Sequence, residues 1–128
     1  MLYILLIMSK EKVGHYTSIK PEKVREDMAI NTWIRILIRR GDGAPTFAMR
    51  LFTVEKGGHI FAHKHPWEHE IFILKGEGEV RIGDKSYHVK KGYFVFIPPN
   101  IEHEYWNRGE EDLEFLCMIP HEPTAPEE

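Results

Sequence analysis

From position 33 onward, apolar and polar residues alternate in short runs cut by glycine, proline and aspartate, the pattern of strands half-exposed on a sheet. The runs fall at 33–38, 47–54, 60–65, 69–74, 79–82, 87–89, 93–97, 102–106 and 113–119. Their breaks carry turn chemistry: GDGAP at 41–45, Gly57-Gly58, Gly76 and Gly78, and GDKS at 83–86, which reads as a hairpin turn. Many short strands with almost no helix predict an all-β sandwich or barrel. The charged segment KPEKVREDM at 20–28, with Pro21 near its start, reads as a short helical turn or a surface loop.

The opening MLYILLIM is apolar but far short of the ~20 residues a membrane span requires. It lacks the basic region and small-residue cleavage site of a signal peptide. An edge strand is expected there, covering the barrel or pairing with a second subunit. The chain then divides into an N-terminal arm with a candidate dimer strand (1–30), a barrel (31–120) and a polar, proline-rich tail (121–128).

With 128 residues there is chain enough for one real core, and 42% apolar with 29% charged residues is an ordinary globular balance. A net charge of -3, with no basic face interleaved with aromatics, argues against nucleic acid as a partner. The one cysteine, Cys117, excludes an internal disulfide and fits a reducing cytoplasm.

Histidine changes the picture most. HKHPWEH at 63–69 and PPNIEH at 98–103 place four of the eight histidines in two clusters about forty residues apart. Along a strand, even separations share a face, so His63, His65 and His69 can point inward together. His103 joins them from another strand. Converging imidazoles suit a divalent transition metal. The same stretch also spells HxxEH, a zinc-peptidase pattern that needs a helix. Pro66 and the strand-like IFIL at 71–74 argue against one.

These residues also carry a family resemblance. Gly57, the HxH of His63 and His65, and Gly76 resemble the first cupin motif. Gly92, Pro98, His103 and Asn107 resemble the second, with Asn100 standing where the family usually has glycine. Asparagine is the next best residue at positive φ, so the turn is expected to survive. The first motif usually supplies glutamate as its third ligand, which makes Glu70 a rival to His69. Six residues separate His69 from Gly76, as the motif requires, against five after Glu70, and alternation turns Glu70 to the opposite face. The chain is similar to the small four-histidine monocupins, known from thermophiles and able to hold manganese.

That resemblance implies a small cupin-type barrel, a jelly-roll-like double-stranded β-helix, with one divalent metal on His63, His65, His69 and His103. Manganese is favoured, with iron, copper, nickel or zinc open. Four neutral imidazoles would leave the ion's charge whole and make it a strong Lewis acid. Arg50, Ile60, Tyr105, Phe115 and Cys117 are expected to wall a substrate pocket, with plain core packing the rival role for Ile60, Tyr105 and Phe115. An arginine inside a barrel requires an anionic partner, a carboxylate or a substrate. The expected activity is a dioxygenase-like oxidoreductase acting on a small, partly apolar molecule in a cytoplasmic homodimer. The alternative is a non-catalytic binding module. No general base outside the ligand set suggests a hydrolase or isomerase.

Overall fold

The computed structural model describes residues 11–121. Within them the strands are β1 (Glu22–Lys23), β2 (Ala29–Ile38), β3 (Phe47–His63), β4 (His69–Lys75), β5 (Glu77–Ile82), β6 (Lys85–Lys90), β7 (Phe94–Ile97), β8 (His103–Asn107) and β9 (Leu113–Pro120). The helical content of the described residues is two 3-10 turns, Tyr16–Ser18 and Arg40–Asp42. None is long and apolar enough to cross a membrane. The edge strand expected at the start of the chain and the polar tail beyond His121 lie outside the described residues.

Strand neighbours run β6-β5-β8-β3-β9-β4-β7, with β2 also against β3, and every pairing is antiparallel. The curled sheet gathers its inward positions into one core, including Ile60, Ile71, Ile73, Ile97, Tyr105, Phe115, Cys117 and Ile119. β3 links the two halves. Its first part pairs with β9 from Phe47 to Val54, and its last part pairs with β8 at His59, Ile60 and His63.

Gly57-Gly58 therefore does not end a strand, as the turn reading had it. β3 runs 17 residues through both glycines. Gly57 takes φ +78, and a Cβ on Gly58 would sit 2.6 Å from Val54 Cγ1 and 2.8 Å from the Glu55 carbonyl. The pair is a bend that only glycine fits, letting one strand serve two pairings. The 20–28 segment is the two-residue β1 followed by a turn closed by Met28 N–H on the Arg25 carbonyl at 2.9 Å. The hairpin at 83–86 is present but tighter than expected, because Ile82 already pairs with Lys85 across Gly83-Asp84.

The chain before β1 crosses the outer face of the sheet. Tyr16 Oη donates to Glu114 Oε1 at 3.1 Å, Thr53 donates to Glu114 Oε2 at 3.0 Å, and Arg35 Nε donates to the Ile19 carbonyl at 2.8 Å. Farther along, none of the described residues covers the outer face of β4 and β7. Phe72, Phe94 and Phe96 are 45%, 82% and 56% exposed there.

Candidate metal centre

The ends of three strands and one loop meet at one mouth of the curled sheet. His63 closes β3, His69 opens β4, His103 opens β8, and His65 lies in the connection between β3 and β4. His65 was expected on a strand with His63. The strand stops at His63, and the loop carries His65 to the same side. His63 and His103 are register partners with ring centroids 4.4 Å apart. His65 and His69 lie 4.6 Å apart, and one ring nitrogen from each of the four falls within 4.8 Å of all the others. Such a group could hold a metal ion.

Each ring is aimed from behind. Nδ1 of His63 lies 2.8 Å from the Phe61 carbonyl, Nδ1 of His103 2.9 Å from that of Ile101, and Nδ1 of His65 3.2 Å from that of Trp67. A carbonyl oxygen only accepts, so Nδ1 carries the proton in all three and Nε2 is left bare for a cation. The indole of Trp67 also stacks on His65, 4.2 Å away and nearly parallel at 3°. His103 Nε2 is buried without a hydrogen-bond partner, a cost that a bound cation would remove. His69 Nε2 sits 2.9 Å from His65 Nε2.

Electrostatics favour the neutral rings that metal binding needs. Burial drives His69 far below the usual imidazole range, with the charge of Arg50 adding to the effect. Burial also lowers His65, and it pushes His103 down to about 4. The residues present fit a divalent metal.

Glu70 stands outside this group. It is exposed on the opposite face of β4, in register with Phe96 and Met118, while its neighbour His69 is buried.

Behind the histidines, the expected pocket residues form one chain of contacts. Tyr105 meets His103 edge-on at 5.8 Å and stacks on Phe115 at 5.3 Å. Phe115 stacks on Phe52 at 5.4 Å, and the Arg50 guanidinium lies over Phe52 at 5.0 Å. Arg50 Nη2 then donates to Cys117 Sγ at 3.0 Å, and Cys117 Sγ is 3.0 Å from His69 Nδ1. The path starts on one histidine and returns to another. Ile60 is buried beside it, as the register partner of Tyr105. Burial raises the Tyr105 phenol and the Cys117 thiol above their ordinary pKa ranges.

Two outcomes bear on the sequence reading, which allowed Arg50 either a carboxylate or a substrate as its partner. No carboxylate among the described residues pairs with Arg50, although the residue is buried and its Nε has no hydrogen-bond partner. Sulfur and an aromatic face surround it instead. Phe52 is an additional member of the surroundings, and Trp67 shapes the loop between the ligands by stacking on His65. Parity with Arg50 could have singled out Phe52, whereas the stacking of Trp67 on His65 depends on how an irregular loop closes.

Comparison with known proteins gives the relationship. The profile of the cupin domain family matches residues 50–119. The structure of the polyketide cyclase RemF from Streptomyces resistomycificus is similar over 91% of this chain and 83% of its own, at 34% identity with a TM-score of 0.83. A 1-methylthio-D-xylulose 5-phosphate methylsulfurylase from Rhodospirillum rubrum is 33% identical over 93 residues, which is 73% of this chain but only 59% of that protein. An oxalate-binding protein from Thermotoga maritima is 39% identical over 74 residues, 55% of this chain and 61% of its own. The chain thus spans about three fifths of these two curated relatives, whose names describe different activities.

Proposed function

The chain belongs to the cupin domain family, and from that premise we propose that His63, His65, His69 and His103 hold one divalent transition metal, manganese first, beside a site for a small, partly apolar anion. The observation that carries this reading is the convergence of four imidazole rings beside a buried arginine that no carboxylate among the described residues meets. When bound, the metal supplies Lewis-acid charge and, if redox-active, electron transfer. Arg50 holds negative charge on the ligand. Tyr105, Phe115, Phe52 and Ile60 exclude water and pack its apolar part. With a redox-active metal the activity is dioxygenase-like. The second reading is a binding module, favoured by the similarity to an oxalate-binding protein and by the lack, among the described residues, of a general base beside the histidines.

Protein purified without added metal or chelator is expected to carry about one manganese, iron or copper ion per chain by elemental analysis. Reconstituted protein should then consume oxygen with a small aromatic diol as probe. A loaded centre that binds oxalate calorimetrically but consumes no oxygen would favour the module. Failure to retain any of these ions, or zinc, would sink both readings.

The same reading makes the protein a homodimer in a reducing, cytoplasmic setting, in keeping with its single buried thiol. The three exposed phenylalanines of β4 and β7 leave about 400 Å² of apolar surface between them, the size of the largest patch on a typical monomer, which is often an interaction site. That is roughly half of what each partner buries in a standard interface, with the rest available from flanking strands. A second copy using the same face is the occupant we favour. Light scattering should give a dimer mass that Phe94→Glu converts to monomer; a monomer mass for the unaltered protein overturns it.

A further inference from the structure

We infer that Cys117 is a positioning residue for the metal centre, the hydrogen-bond acceptor that turns His69 toward the ion. The inference rests on the four-histidine reading above. To ligate through Nε2, a histidine must carry its proton on Nδ1, and that N–H needs an acceptor. Three of the rings find theirs in main-chain carbonyls, those of Phe61, Trp67 and Ile101, each two residues away in sequence. No side-chain substitution removes such an acceptor. His69 differs: its Nδ1 faces the sulfur of Cys117 at 3.0 Å, 48 residues away.

The other neighbour of that nitrogen cannot do the task. Arg50 Nη2 lies 3.5 Å from His69 Nδ1, but a guanidinium only donates. Its stronger contact is the 3.0 Å bond it gives to the same sulfur. Arg50 therefore fixes where the sulfur sits, and the sulfur fixes how the imidazole is turned. β9 supplies this support because it lies between the two strands concerned. Cys117 is register partner to Arg50 on β3 and to Ile71, two residues past His69, on β4. Cys117 is 1% exposed, so solvent does not compete for the bond.

The test compares Cys117→Ser, Cys117→Ala and Cys117→Val with the parent, reading zinc affinity by competition against a chromophoric chelator and cobalt coordination by its visible spectrum. Alanine and valine accept no hydrogen bond and should weaken zinc binding about 10- to 100-fold, the usual effect of losing a ligand's supporting partner. Their cobalt spectra should change in shape. Serine, which can accept, should recover most of the affinity. Valine controls for volume, and urea unfolding of the chelator-treated variants separates a lost bond from a lost fold. Parent-like affinity in both alanine and valine variants overturns the inference, as does serine as weak as alanine. If the parent itself binds neither zinc nor cobalt, it is the four-histidine reading that has failed.

Discussion

Replacing His69 with alanine is expected to lower metal affinity by about 100-fold or more, since losing a ligand should exceed the loss of a ligand's supporting partner. Replacing the adjacent Glu70 should leave affinity within about threefold, as for an ordinary exposed carboxylate. The contrast is sharp because both residues are metal-ligand types and adjoin in sequence. His69 is buried, and its Nε2 lies 2.9 Å from that of His65. Glu70 is exposed on the other face, paired with Phe96 on β7 and Met118 on β9. The measurement is a zinc or manganese titration of chelator-stripped protein. Metal loss on Glu70→Ala with retention on His69→Ala would reverse the register of β4 and remove the basis for a four-histidine centre.

This register was readable from the chain because alternation is a local rule. One residue's shift turns every side chain of a strand to the other face, so the spacing from His69 to Gly76 carried real information. The strand series was readable for the same reason, apart from β1, the first residues of β2 and the continuity of β3. There the two glycines look like a turn, and whether a glycine pair bends a strand or ends it depends on the partners on either side. Asn100 was also legible: it takes φ 63, and its N–H reaches the His65 carbonyl at 2.8 Å, tying the two histidine segments together. Asn107 acts similarly, donating to the carbonyls of Val54 and Glu111 at 2.8 and 2.9 Å.

What stayed hidden is long-range. Parity placed Arg50 and Cys117 inside, but their meeting with His69 requires β9 to lie between β3 and β4, and no local spacing encodes that order. The rule that a buried arginine requires an anion pointed to a carboxylate or a substrate. It did not anticipate that sulfur and the face of Phe52 would surround the guanidinium on the protein side.

The second large effect concerns the glycines that bound the motifs. Gly76→Ala is expected to destabilise the protein by roughly 3 kcal/mol or more, and Gly92→Ala by only about 1. Both residues have left-handed backbone, φ +79 and φ +92, so both substitutions carry the same intrinsic strain. They differ in what a new methyl group would meet. At Gly92 nothing lies within 4 Å. At Gly76 it would run into the Asp112 carbonyl oxygen and lie 3.0 Å from Leu113 Cα, both backbone atoms that cannot swing aside. Relief would require β9 to move, and β9 carries Phe115 and Cys117 behind the histidines. A loss of that size is a large fraction of a typical domain's total stability, so Gly76→Ala should shift the urea midpoint far more than Gly92→Ala. Asparagine separates strain from collision. It tolerates positive φ, as Asn100 does in this fold, so Gly92→Asn should recover part of what alanine loses, and Gly76→Asn should recover none. Equal midpoints for the two alanine variants would mean that the approach of Asp112 to Gly76 is not a constraint on the folded chain.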